Sequence, residues 1–349
     1  MLNPCEEALK KHIQTDGSIS LGAFMNHALT HPEHGYYMTR DPFGVRGDFI
    51  TAPEISQLFG EMIGAWVTDI WHQMGQPEIN LVECGPGRGT LMADITRVIK
   101  NTEGFSDKVN ITLIETSPVL IAQQKEVLKT QKVEWVSSIN QLDSEHPSII
   151  IGNEFLDALP IEQIIRTSEG WHQRYVKFED ESFNYEWQNA EEYLVAMLPE
   201  KTQSNVIYEV SPAQHEFMLQ CCDHIKRTNG VALLIDYGYA KKGHGETLQA
   251  VRKNTYAKVL RHIGETDITA HVNFAALKET VEHQNLACEK IITQAEFLQN
   301  LGIEIRAQML MHKKDISEDV KRLISPEQMG DLFKVFCSHN GNQIKPAGF

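Results

Sequence analysis

The chain has 349 residues, 42% hydrophobic and 23% charged, enough apolar content for a large core. Asp and Glu number 47 against 32 Lys and Arg, a formal charge of −15. A surface that acidic repels phosphate backbones and argues against nucleic acid, whereas a basic peptide or protein suits its field.

No apolar run approaches the roughly 18 residues a membrane helix needs, so membrane insertion is not expected. The opening "MLNPCEEALKKHIQ" carries acids early and has no apolar segment, unlike a signal or Arg-rich transit peptide. The six cysteines form no CxxC pair, and reduced thiols in a cytoplasmic protein are the expectation, with Cys221 and Cys222 as packing residues.

In chain order, residues 51–75 give the clearest helix. Ile55, Leu58, Phe59, Met62, Ile63, Trp66, Val67, Ile70, Trp71 and Met74 repeat at three and four. "TAPE" opens it as a capping box, Thr51 capping and Glu54 reaching back, and Gly75 closes it. Strands and helices then alternate. Strands are expected at 79–84, 111–115, 133–136 and 148–154, with helices at 90–100 and 118–129. A helix over 212–229, closed by Gly230, and a strand over 231–238 follow. Such alternation indicates an α/β fold, a mostly parallel, doubly wound sheet of Rossmann type covered on both faces.

The alternation breaks between 160 and 207, where "IEQIIRT", "WHQRYVKFED" and "SFNYEWQ" read as antiparallel strands of an insertion. A second irregular stretch covers 240–272. The last sixty residues look mostly helical, with one strand at "CEKIIT". The division expected is an N-terminal helical region over 1–78 that contributes to the cofactor site. A Rossmann-like core spans 79–160 and 206–300, a β-rich insertion 161–205, and a C-terminal, mostly helical segment 301–349.

The first strand–helix turn reads Glu83-Cys84-Gly85-Pro86-Gly87-Arg88-Gly89. In α/β sheets such turns bind ligands beyond the carboxyl ends of the strands. The spacing is GxGxG, not the GxGxxG of pyrophosphate sites, and an acid precedes it. A carboxylate there is unfavourable beside a pyrophosphate and favourable beside an ammonium. S-adenosyl-L-methionine has an α-amino group and no phosphate, so Glu83 and the glycines favour it over a nicotinamide dinucleotide. Glu115, ending the second strand, is placed to accept two ribose hydroxyls. The plainer reading is a tight strand–helix connection without a ligand.

The segments "HPEHGYYMTRDPFGVRGDFITAPEISQLFGE", "VECGPGRGTLMADI", "IGNEFLDALP", "LLIDYG" and "GETDITAHVNF" make the chain resemble the MidA-like family of class I S-adenosylmethionine-dependent methyltransferases. Mitochondrial members of that family are complex I assembly factors that dimethylate an arginine of a core subunit. The resemblance covers nearly the whole chain. It implies that Glu83, Gly85, Pro86, Gly87 and Gly89 line the methionine end of the cofactor, with Asn153 nearby, and that Glu115 holds the ribose. It also implies that the segment around Gly47, Phe49 and Thr51 folds over the cofactor. Asn273 departs from the pattern, which has Asp in "TAHVDF"; it either weakens activity or only caps the next helix, which Asn does as well.

An arginine acceptor is protonated and its nitrogens are poor nucleophiles. Carboxylates that bond two of its nitrogens orient the third. Glu154 is expected as the main clamp and Asp157 as its support; the competing reading is that Asn153 and Glu154 cap a helix or pair with an Arg. Asp267 and His271, four apart, offer a proton relay or an ordering pair. His31 and His34 lack a matched third ligand, and no metal is expected. Tyr36 and Tyr37 are expected to pack over cofactor or acceptor. The acid-rich 177–193 is a solvated face that can steer a basic partner.

The leading expectation is a protein-arginine methyltransferase whose substrate is an arginine-containing basic segment of a respiratory complex I-type subunit or similar protein. The rival is a non-catalytic, cofactor-binding assembly factor. A homodimer is left open.

Overall fold

The protein is described by a computed structural model that covers residues 2–39, 50–311, 315–341 and 344–349. Its centre is a sheet containing β1 (Ile79–Cys84), β2 (Val109–Ile114), β3 (Val133–Val136), β4 (Ser148–Asn153), β5 (Val231–Tyr239) and β6 (Phe333–His339). The order across the sheet is β6-β5-β4-β1-β2-β3. All neighbours are parallel except β6, which runs antiparallel to β5. The chain leaves β1 towards β2 and β3, then returns to β4 on the other side of β1. That reversal opens a crevice at the carboxyl ends of β1 and β4, where open α/β sheets bind ligands.

β1, β4, β5 and β6 are buried on both faces, hence their near-continuous apolar runs, while the edge strand β3 is partly exposed. Leu81, Ile149, Ile151, Leu233 and Ile235 point into one core and Val82, Cys84, Ile150, Ala232 and Leu234 into the other, the two-residue alternation of a strand. The first core holds α1 (Gln57–Gln73), α2 (Thr90–Lys100) and Leu128, which closes α3 (Pro118–Val127); the second holds α4 (Pro212–Thr228). Cys221 and Cys222 are buried packing residues.

The antiparallel segments expected between 160 and 207 form strands at Glu162–Thr167, Gly170–Glu179, Ser182–Asn189 and Ile207–Val210. The short strand Ile19–Ser20 joins this sheet beside Gly170–Glu179. A third core ties it to the N-terminal helices, with Leu9, Phe24, Leu29, Val176 and Phe183 among its members.

Three local expectations are corrected. The helix expected over 51–75 is broken: Ala52–Ile55 is a separate turn, and Ser56 (φ −153°, ψ 130°) is extended and caps α1 through Leu58 N–H. Thr51 makes no side-chain cap bond, and the Glu54 carboxylate goes to Thr90 and Arg88, a charge-assisted partner, instead of turning back. The helix ending near 229 is closed by Asn229 (φ 54°), the left-handed residue, while Gly230 is small because a Cβ there would lie 2.6 Å from the Ser148 carbonyl oxygen. The C-terminal segment is less helical than expected. "FKVFCSH" is the seven-residue β6, buried on both faces, and "CEKIIT" is no continuous strand: beside β6 lie only the short pieces Ala287–Cys288, which begins one residue before that segment, and Ile292–Thr293.

Candidate functional site

β1 delivers the chain to Gly85, Gly87 and Gly89, whose φ angles are +62°, +53° and +84°. A turn made of left-handed residues at alternate positions is open to glycine and strained for side chains. At Gly85 the space is filled too: a Cβ would lie 2.7 Å from Phe155 Cδ2. Gly89 then serves as the N-cap of α2.

A small chamber beside this turn is lined by Thr51, Pro53, Glu54, Glu83, Pro86, Arg88, Thr90, Asn153 and Glu154. Glu83 is 3% exposed, and burial pushes its carboxyl up to about 8 despite a backbone bond from Met92. Glu83 Oε2 and Asn153 Oδ1 are both buried in this chamber without a hydrogen-bond donor among the described residues. Buried acceptors left unpaired cost free energy, so the chamber is built to receive N–H groups. Arg88 stands 3.6 Å from Glu54, whose other oxygen accepts the Thr90 hydroxyl at 2.5 Å.

An adjoining apolar cavity of about 270 Å³ reaches Leu29, Tyr37, Met38, Ile114, Glu115, Leu120, Phe155 and Leu159. Glu115 Oε1 accepts the backbone N–H groups of Thr116 and Ser117, both at 2.8 Å. Among the described residues its Oε2 accepts Gln124 Nε2 alone, at 3.2 Å, and keeps acceptor capacity. Gln124, fully buried on α3, also donates to the Gly87 carbonyl at 2.7 Å and accepts from Trp135. The sequence reading missed Gln124, because a lone Gln in an amphipathic helix carries no local sign that it reaches two loops at once.

The expected acids converge beyond β4. Glu154 is a non-glycine residue at φ +49°, a conformation seen mainly where surrounding structure enforces it. Its Oε1 accepts Ala52 N–H at 2.9 Å and the Asn153 amide at 3.3 Å. Glu154 therefore does cap a helical turn, as the plainer reading had it, while also lining both cavities. Burial pushes its carboxyl to about 7 and that of Asp157 to about 6. Asp157 accepts the Tyr237 hydroxyl, and Asp236 Oδ2 accepts the N–H groups of Phe155, Leu156 and Asp157, fixing the turn that carries Asp157.

Asp267 and His271 enter this cluster through different tyrosines. Asp267 accepts the Tyr37 hydroxyl at 2.9 Å, and the His271 ring lies edge-on to Tyr237 at 5.5 Å. Burial lowers the His271 pKa. Tyr37 reaches the cofactor-side cavity, whereas Tyr36 is a core residue. Asn273 caps the following helix by accepting Ala276 N–H at 3.1 Å, the second of its two expected roles. Gly47 and Phe49 lie outside the described residues. The described parts of four sequence segments thus meet at one end of the sheet: 31–39 with 50–61, 151–160, 233–238 and 264–274.

Residues 62–292 match a protein family described as "Putative S-adenosyl-L-methionine-dependent methyltransferase". The chain belongs to this methyltransferase family. It is 33% identical to the Danio rerio protein named protein arginine methyltransferase NDUFAF7, mitochondrial, over 95% of this chain and 86% of that one. Identity to the human protein of the same name is 28%, over 96% and 83%. A Burkholderia thailandensis protein crystallised with S-adenosyl-homocysteine superposes with a TM-score of 0.85 at 26% identity, covering 99% of this chain and 96% of that one. The fold is that of the class I methyltransferases, and the cofactor is S-adenosyl-L-methionine.

The methyltransferase's own residues fit this cofactor. The orphaned oxygens of Glu83 and Asn153 suit an α-ammonium, which supplies the donors they lack. Arg88 is the cation at hand for the α-carboxylate, Glu115 has an oxygen for a ribose hydroxyl, and Ile114, Leu120 and Leu159 offer an apolar slot for a purine. The bound cofactor supplies an electrophilic methyl on a sulfonium; the protein's task is to hold an acceptor in line with it and exclude water.

Proposed function

We propose that this methyltransferase modifies arginine in a basic segment of a protein, with Glu154 and Asp157 holding the guanidinium. One observation carries the reading. Two carboxylates, Asp157 buried and Glu154 half-buried, stand at the cofactor end of the sheet; neither forms a Lys or Arg ion pair among the described residues, and Arg322 acts on Glu154 only through its longer-range field. Uncompensated buried acids are costly, and an incoming cation supplies the missing charge. The curated relatives' names, which specify arginine, support the choice of acceptor.

The guanidinium arrives protonated. When one nitrogen takes the methyl group it gives up one proton, and the product is again a guanidinium. Glu154, with a carboxyl near 7, is matched to accept that proton at neutral pH. Asp157 holds the charge on the far nitrogens so that the attacking one keeps its electron pair. The net charge of −15 draws a basic segment towards the site.

The rival, a cofactor-binding assembly factor without catalysis, draws on Asn273, and the helix cap that Asn273 makes gives that residue a role that Asn fills as well as Asp. The experiment is incubation with labelled S-adenosyl-L-methionine and a host lysate. A labelled protein band that vanishes with Glu154→Gln supports transfer, and sound cofactor binding with no labelled band supports the assembly factor.

A further inference from the structure

We propose that Tyr237 is a positioning residue for methyl transfer: a neutral donor that holds the Asp157 carboxylate as an anion without neutralising it. The inference rests on the acceptor assignment above.

The geometry around Tyr237 leaves its hydroxyl a single arrangement. Its oxygen accepts a side-chain hydrogen bond from Thr269, and its proton points to Asp157 Oδ2. Its ring is gripped between His271 and Phe333, each with centroids 5.5 Å away, and its backbone N–H donates to Asp236 Oδ1 at 2.9 Å. The ring is partly buried, packed against the first core.

The choice of donor has a chemical consequence. A Lys or Arg at this place would fix Asp157 equally well, and would also cancel the charge that a guanidinium must find. A phenol fixes the carboxylate and leaves its charge for the acceptor. Tyr37 repeats the device on Asp267, and its backbone carbonyl accepts the Ser117 hydroxyl at 2.6 Å, beside the Glu115 ribose position. The groups facing Asp157 are otherwise anionic or neutral: Glu154 and Asp236 from the strand ends, Tyr37 with Asp267 across the cavity, and His271 behind Tyr237 with Lys334 beyond it. The Ala158 backbone N–H also bonds Asp157, but among the described residues no side chain other than Tyr237 donates to it, so loss of the phenol shifts Asp157 towards its protonated form.

The test is Tyr237→Phe, which keeps the ring. Asp157 is titrated by carbon NMR of aspartate-labelled, S-adenosyl-homocysteine-bound protein, its signal assigned with Asp157→Asn. Loss of the donor raises the Asp157 midpoint by about one pH unit, a tenfold change in ionisation. Labelling of lysate protein falls by about twofold at neutral pH, by up to about tenfold near pH 5, and recovers as pH rises, while S-adenosyl-homocysteine affinity stays within about twofold. An unmoved Asp157 midpoint overturns the inference, as does a loss of cofactor affinity equal to the loss of labelling, which marks a merely structural tyrosine. If Asp157→Asn labels as well as wild type, the acceptor assignment fails instead, and the titration still reports on Tyr237 by itself.

Discussion

Glu154 Oε1 accepts the backbone N–H of Ala52 at 2.9 Å, across 102 residues of sequence. The acid assigned to the acceptor is therefore also the cap of the turn at Ala52–Ile55, whose Pro53 and Glu54 wall the cofactor chamber. Charge and cap separate by mutation. Glu154→Gln keeps a carbonyl oxygen for Ala52 and loses basicity, so transfer falls by at least about 100-fold with stability within about 0.5 kcal/mol of wild type. Glu154→Ala loses the cap too and costs about 1 kcal/mol in addition. Transfer rates and urea unfolding of the two variants check this, and equal stability loss in both would contradict the capping account.

Cofactor affinity depends on pH through Glu83. Its carboxyl stands near 8 because of burial, and an ammonium needs the anion. Below pH 8 each binding event must expel a proton, so affinity for S-adenosyl-homocysteine weakens by up to about tenfold per pH unit as pH falls. Above it, the dependence on Glu83 disappears. Calorimetry in buffers of different ionisation enthalpy reads the proton released. Glu83→Gln binds weakly and loses this pH slope; a slope that survives in the variant belongs to another group.

Gly87→Val places a β-branched residue at φ +53° in a loop whose carbonyl is tied to Gln124. The strain is about 1–3 kcal/mol and the side chain enters ligand space. Cofactor binding should be abolished while the fold persists, measured by calorimetry and circular dichroism. Retained affinity would mean the cofactor lies elsewhere.

Asn273→Asp should be nearly silent, within about 0.5 kcal/mol in stability and about twofold in rate, because both residues cap a helix well. A large gain in rate would assign this position to chemistry.

The central strands, their helices and the glycine turn were legible in the sequence because each element carries its own period and its own cap. "INLVEC" and "TLMADITRVIK" match β1 and α2 residue for residue. β6 was not legible: Lys334, Ser338 and His339 interrupt its short apolar run, and its partner β5 lies about a hundred residues earlier. The break at Ser56 was hidden for a similar reason, since the apolar pattern of 55–74 runs across it while the bonds that decide it come from Thr90, Arg88 and Glu154. Glu154, Asp157, Asp267 and His271 were visible as acids and a base in distinct segments. That tyrosines connect them, and that Gln124 braces Glu115 against the glycine loop, depends on contacts that no spacing encodes.

The central claim is that the acids beyond β4 present an arginine nitrogen to the cofactor. Mass spectrometry of lysate proteins labelled from isotopic S-adenosyl-L-methionine tests it most directly. The account predicts the isotope on a guanidine nitrogen of arginine, present with wild type and lost with Glu154→Gln. Methyl groups found on lysine, a carboxylate or a small molecule, or on arginine undiminished in Glu154→Gln, would contradict it.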